Sequence, residues 1–324
     1  MNNEQDASTT KTQPDHWEKQ LVEKLALAAV NEQKSSRRWG IFFKLLTFSY
    51  LVALLMVAVY PNFETDISSN HQHAAVIDIL GMIAEGEAAN ATNVITGLRD
   101  AAKDKNAKGI ILNINSPGGS PVQAAYIYDE IRRLKGLNPQ LPIYAVVGDI
   151  CASGGYYIAA ASDKIFVNQA SLIGSIGVVM NGFGFTNVLE KLGIERRLLT
   201  AGEHKAMLDP FLPIKTQETR HMQSLLDQVH QQFITAVRMG RGQRLKESEA
   251  PEMFSGLVWT GAEGIKIGLA DDFGSVDSVA REILGTEDQV NFTPKEQLFD
   301  RLAGKFGASF GHAIATAIPA LQIQ

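Results

Sequence analysis

Apolar residues occupy every helical face of residues 41–60 (IFFKLLTFSYLVALLMVAVY), interrupted by one charge, Lys44, near the start. That length matches the roughly 20 residues needed to cross a bilayer core, so the pattern predicts a membrane-spanning helix over 41–60, with Lys44 snorkelling to the interface. Lys34, Arg37 and Arg38 precede the stretch, whereas Glu64 and Asp66 follow it. The asymmetry predicts residues 1–40 in the cytoplasm and the remainder across the membrane. Within that first segment, residues 1–15 are polar, and Trp17, Leu21, Leu25 and Ala28 recur at helical spacing. A cleaved signal peptide with 45–59 as its apolar region is the rival reading; the long leading segment and the lack of a small-x-small pattern directly after it favour a retained anchor.

Beyond a polar linker (61–73) the pattern changes to short apolar runs alternating with amphipathic ones. Strands are expected at 74–79, 109–115, 143–147 and 164–169, and helices at 92–103, 122–135 and 156–161. This β-α-β-α-β-α order predicts a parallel sheet covered by helices, in which sites gather at the carboxyl ends of the strands. Further helices are expected at 183–192 and 216–237, a short strand at 196–199, and a glycine-rich hairpin-like or helical closure at 256–274. The expected domain is 74–285. The segment 286–324, with Phe299, Leu302, Phe306 and Phe310, is expected to be a weakly amphipathic tail.

Composition narrows the chemistry. A net charge of −5 carries no electrostatic footprint for nucleic acid. The single cysteine, Cys151, excludes an internal disulfide and a cysteine-based zinc cluster, and its apolar neighbours suit a small buried side chain better than a reactive thiol. The segment 141–161 (LPIYAVVGDICASGGYYIAAA) reads as strand, turn, serine, glycines, helix. A serine there, Ser153, sits beside unpaired amides and the positive helix end, where an oxyanion would be stabilised. A capping serine at such a turn is also ordinary in α/β proteins.

The turn Pro117-Gly118-Gly119 lies at another strand end and contains neither GxGxxG nor GxxxxGK[ST], so an amide-donating turn fits it better than a phosphate cradle. The Gly119 and Ser153 amides are the expected oxyanion donors. Ser175, between Gly174 and Gly177, is a second candidate hydroxyl or simply a buried turn serine. A serine nucleophile needs a base. His204, oriented by Asp149 or Asp209, and Lys205, with its pKa lowered by Met207, Leu208, Phe211 and Leu212, are equally compatible with the composition of the loop 200–211.

Taken together, Asn115-Ser116-Pro117-Gly118-Gly119, Ala152-Ser153-Gly154-Gly155-Tyr156-Tyr157, Gly174-Ser175-Ile176-Gly177-Val178 and Gly202-Glu203-His204-Lys205 resemble the signal peptide peptidase A family, over about residues 74–285. The resemblance implies a ClpP/crotonase-like α/β fold and a Ser-Lys dyad. It assigns Ser153 as nucleophile, Lys205 as general base, Ser175 as the hydroxyl that orients the lysine, and Gly119 as an oxyanion donor. It also implies homo-oligomers in which neighbouring protomers complete each active site.

The expectation is a membrane-anchored serine endopeptidase that hydrolyses apolar peptides, such as remnant signal peptides, on the extracytoplasmic side of a bacterial cell membrane. No metal, nucleotide or other cofactor is expected. The alternatives are a protease of other membrane or envelope proteins, a crotonase-type acyl-CoA enzyme sharing the paired amides, and a non-catalytic membrane scaffold on the same fold.

Overall fold

The computed structural model describes residues 16–59 and 71–294. Two compact units are present, one containing the N-terminal helix and the other spanning residues 66–296.

In the first unit, helix α1 (His16–Val59) runs unbroken for 44 residues and joins the expected amphipathic and apolar stretches. Among the described residues no helix is long and apolar enough to cross a membrane. The expected span over 41–60 is therefore not supported there: Lys34, Arg37, Arg38 and Lys44 lie on the same helix, and Tyr60 falls outside the described residues. The helix presents Phe42, Phe43, Leu45, Leu46, Phe48 and Leu51 as exposed side chains.

The second unit is built on one eight-stranded sheet. In chain order its elements are β1 (His73–Ile83), α2 (Ala91–Lys103), β2 (Ala107–Gly119), α3 (Pro121–Leu137), β3 (Ile143–Ala152), α4 (Gly154–Ala159), β4 (Lys164–Val167), β5 (Leu172–Gly174), α5 (Thr186–Lys191), α6 (Thr216–Arg241), β6 (Val258–Thr260), α7 (Gly261–Ile267), β7 (Asp272–Phe273) and β8 (Gln289–Asn291). The main path is β6-β5-β3-β2-β1-β8, with β4 on β3 and β7 on β4. Every pairing is parallel except β5 with β6.

Parallel strands buried on both faces need apolar residues at odd and even positions alike. Here Ile77, Ile79, Ile110, Leu112, Ile114, Ala145 and Val147 pack in the larger core with Val94, Leu98, Ile127 and Ile131 of α2 and α3. The alternate residues Ala74, Val76, Ile111, Val146 and Phe166 meet Val279, Ala280 and Leu284 in a second cluster. Asn90 and Ser120 cap α2 and α3 by accepting from Asn93 N–H and Gln123 N–H, and Pro121 occupies the first turn, where no amide partner is needed.

Three expectations change. No strand forms at 196–199: the segment has no neighbour to pair with and Leu199 is fully exposed. The expected helix over 183–192 is confined to Thr186–Lys191. The supposed tail 286–324 begins as sheet, because β8 pairs with β1, Asn291 Nδ2 donates to Asp78 Oδ2 at 2.7 Å, and Asp78 N–H donates to Thr293 Oγ1 at 2.7 Å. The phenylalanines of that tail lie outside the described residues.

Arg241 joins the end of α6 to the sheet. Only 1% exposed, it donates to Gly268 O through Nε (3.0 Å) and Nη2 (2.9 Å), and to both Asp271 oxygens at 2.6 and 3.0 Å. Asp271 also accepts from Ile165 N–H at 2.7 Å, tying in β4. Burial opposes the Asp271 charge, but the Arg241 and Ile165 hydrogen bonds and the nearby cations outweigh it and hold the carboxyl below its ordinary range. Removing one partner strands the other, which typically costs about 3–5 kcal/mol for a buried pair. Asp271→Ala is accordingly expected to lower the unfolding midpoint in thermal and denaturant scans far more than Asp272→Ala, one residue along and exposed.

A second carboxylate reports acid sensitivity. Glu130 accepts from Arg133 and Arg99, and hydrogen bonding by Arg133, assisted by Arg99 against burial, brings its carboxyl down to about 2. A depressed folded value stabilises the protein above the unfolded value of about 4.3 and is lost as pH falls toward about 2. Glu130→Gln should therefore flatten the fall in folding stability between about pH 4.5 and 2, measured by urea unfolding at fixed pH.

Candidate active site

Three neighbouring parallel strands, β2, β3 and β5, end side by side. Gly119 is the last residue of β2, Ser153 follows β3 and Ser175 follows β5. Because Ala152 pairs with Gly174, register alone brings Ser153 and Ser175 to the same edge. All three residues line one cleft of about 700 Å³.

The turn at Ser153 is sharp. Its backbone has φ 52° and ψ −123°, a region unfavourable for a side-chain-bearing residue, and α4 starts directly after it. Such strain persists where surrounding bonds over-determine the backbone. Here Ser153 N–H donates to Gly174 O at 2.8 Å and Tyr157 N–H donates to Ser153 O at 2.9 Å. Strand-to-helix turns of this kind push a serine hydroxyl clear of the sheet.

The Ser153 bond to Gly174 corrects one expectation: that amide is committed and does not face an oxyanion. The next amide, Gly154 N–H, belongs to the first residue of α4, whose position leaves it without an intrahelical acceptor. It stands beside the glycine turn, since a side chain on Gly154 would start 3.3 Å from Gly119 N. Gly119 and Gly154 are thus the amide pair that the geometry places together.

The glycines of this turn are required sterically. Gly118 has φ +102°, and a Cβ there would lie 2.7 Å from Gly154 N and Ser153 Cβ and 2.8 Å from Ala152 O. Gly119 has φ +152°, and a Cβ there would run into Ile83 O. Ser116, fully buried, holds the turn by donating to Gly81 O at 2.6 Å and accepting from Gly118 N–H at 3.1 Å.

Two protein-family models match the chain. Residues 63–178 match the Clp protease family and residues 136–290 match peptidase family S49. A candidate protease of Synechocystis sp. is 31% identical over 208 residues, 64% of this chain and 72% of that protein. The chain belongs to peptidase family S49.

Its fold is the α/β ClpP/crotonase-like one. A candidate signal peptide peptidase SppA of Enterococcus faecium is 34% identical over 197 residues, covering 60% of this chain and 56% of that one. A Brucella abortus protein named as the Na(+)/H(+) antiporter NhaA is 40% identical over 215 residues, which are 66% of this chain and only 29% of that protein. The S49 chain thus spans 29% and 56% of the length of these two relatives.

The bases fare differently from the serines. Lys205 is exposed in the turn at 202–209, its N–H donating to Gly202 O at 3.1 Å, and it does not line the cleft that holds Ser153. His204 does not line that cleft either; its Nδ1 lies 3.3 Å from Glu218 Oε1. Asp149 is 3.3 Å from Asn115 Nδ2 and Asp209 is 3.0 Å from Arg196, so neither expected acid orients His204. Cys151 is fully buried, and burial pushes its thiol strongly up, as befits a packing residue.

A helix histidine supports the site from outside the cleft. His230 lies on α6 with Nε2 3.0 Å from Ile176 O, bracing the turn directly after Ser175. Its neighbours Val229, Gln232 and Phe233 line the cleft. Nothing in a histidine within a regular amphipathic helix signals a partner 54 residues away.

The glycine turn supplies a test. Gly118→Ala forces Cβ against Ser153 and Gly154, and misplacement of reacting groups by about 1 Å costs on the order of 100-fold. The variant should fold with a lowered melting temperature and lose at least that factor in kcat on a peptide substrate, measured alongside circular dichroism.

Proposed function

We propose that the chain is a serine endopeptidase in which Ser153 attacks the peptide carbonyl, Lys205 acts as general base and Ser175 orients the lysine amine. The observation that carries the reading is the convergence of Gly119, Ser153 and Ser175 at the ends of three adjacent parallel strands in one cleft. Neutral Lys205 takes the Ser153 proton, and the Gly119 and Gly154 amides receive the charge that develops on the carbonyl oxygen. Protonated Lys205 then gives its proton to the leaving amine, and water, activated the same way, releases the acyl group. No metal or organic cofactor enters these steps.

Because Lys205 lies outside the cleft of its own chain, the reading has it arrive from a neighbouring protomer of a homo-oligomer. Exposed apolar side chains between β5 and α6, including Val179, Phe183, Leu192, Leu199 and Ile214, support such a neighbour. The cleft itself is lined by Val122, Tyr126, Tyr157, Val178, Val229 and Phe233, which suits extended apolar peptides such as remnant signal peptides. The exposed apolar side chains of α1 and the basic residues before them support attachment to a bacterial cell membrane. The charge asymmetry across residues 34–66 supports an extracytoplasmic catalytic domain.

Hydrolysis of a quenched apolar peptide against pH tests the proposal. Ser153→Ala and Lys205→Ala should each lose on the order of 1,000-fold or more in kcat, while His204→Ala keeps activity. In the parent, kcat/KM should rise with pH as the base loses its proton. Mixing Ser153→Ala with Lys205→Ala before assembly should restore activity when the dyad is shared between protomers. Survival of Lys205→Ala together with loss in His204→Ala would replace the dyad by a histidine base.

A further inference from the structure

The wall of the cleft formed by α3 carries a feature that hydrolysis does not use. Pro121, Val122, Ala125, Tyr126 and Asp129 recur at helical spacing and line the cleft along that helix. Asp129 is the only Asp, Glu, Lys, Arg or His among the residues lining it. It is exposed and takes part in none of the ion pairs or hydrogen bonds of the described residues: Arg99 and Arg133 both go to Glu130, and Arg132, one helical turn on, forms no ion pair with it. An unpaired carboxylate in a cleft lined largely by apolar and aromatic side chains is a receptor for a cation.

The surroundings strengthen that chemistry. Tyr126, Tyr157 and Phe233 line the same cleft, with Tyr157 and Phe233 ring centroids 4.9 Å apart. Aromatic faces attract ammonium and guanidinium groups. The Asp129 charge is felt across the cleft: after burial, it is the next cause raising the Tyr157 phenol above its ordinary value.

Position translates into substrate register. Helix α3 starts two residues after Gly119, and at about 1.5 Å per residue Asp129 lies on the order of 15 Å along the wall from the oxyanion amides. An extended peptide advances about 3.3 Å per residue, so that distance corresponds to about four residues. Resting on the peptidase reading above, we propose that Asp129 is a specificity-determining residue that binds a cationic group of the peptide about four residues from the scissile bond. Remnant signal peptides carry this pattern, a basic segment followed by an apolar run. The same chemistry is offered by a lysine or arginine side chain and by a free α-amino group.

Quenched apolar peptides with a single lysine or glutamine moved from two to six residues on either side of the scissile bond test this with the full chain. An exposed ion pair assisted by an aromatic face predicts a lysine-over-glutamine preference of about tenfold in kcat/KM, peaking near four residues. Asp129→Asn should collapse the ratio toward one, and Asp129→Lys should invert it in favour of glutamine. N-acetylated and free-amine versions of a short glutamine peptide separate the α-amine from the side chain. A flat preference in the parent, or a ratio untouched by Asp129→Asn, overturns the proposal. Binding of the same labelled peptides to Ser153→Ala, with and without Asp129→Asn, reads the ratio without turnover. A ratio near ten that Asp129→Asn abolishes, in a chain that hydrolyses nothing, keeps the cation site and discards the peptidase reading; equal affinities discard the site.

Discussion

The site depends on how closely the end of β2 can approach the turn after β3. Two backbones meet there with no space for a side chain: Gly118 stands against Ser153 and Gly154, and Gly119 against Ile83. Only glycine allows both that approach and the positive φ that goes with it. The approach sets the Gly119 amide beside α4, and the hydrogen bond from Ser153 N–H to Gly174 O sets the serine beside Ser175. The ordinary parallel register of β2, β3 and β5 then assembles the constellation.

That edge is held from behind by groups remote from any chemistry. Ser116 locks the glycine turn from within the core, Tyr156 anchors α4 by donating to Leu269 O at 2.7 Å, and His230 braces the turn after Ser175. The buried Arg241, shared between Gly268 and Asp271, ties the end of α6 to β4. Each is a polar group whose burial would be costly without its partner, so each also specifies one arrangement of helix on sheet. Against this well-determined half stands the segment between β5 and α6, which carries Lys205 and exposes much of its apolar surface. The Gly119 and Ser153 turns on one side and a lightly packed segment bearing Lys205 on the other form a division that the proposed shared site would use.

The strands and helices around Ser153 were legible because their apolar periods are long and bounded by glycine turns, and four motifs in order carried the family. The strand expected at 196–199 failed because a short apolar run needs a pairing partner that periodicity does not reveal. Strand β8 was overlooked for the complementary reason: Gln289, Val290 and Asn291 have little strand character, and pairing with β1 makes them one. The Ser153 amide was expected to be free but donates to Gly174 O; the motif marks the serine, and only hydrogen bonding shows that its amide is already occupied.

The sequence by itself determined the class of fold and the glycine-serine turn after β3. Alternation of apolar runs dictates a covered parallel sheet, and glycines at 118, 119, 154 and 155 around a serine permit only a tight backbone crossing. Tertiary structure alone decided that the Ser153 amide is occupied, that the three strand ends share one cleft, that Lys205 does not line it, and that Asp129 lines it without an ion pair among the described residues. The physical reason is range. Periodicity and turn chemistry act between residues a few positions apart, whereas free amides, cleft walls and unpaired charges are set by contacts between elements distant in the chain.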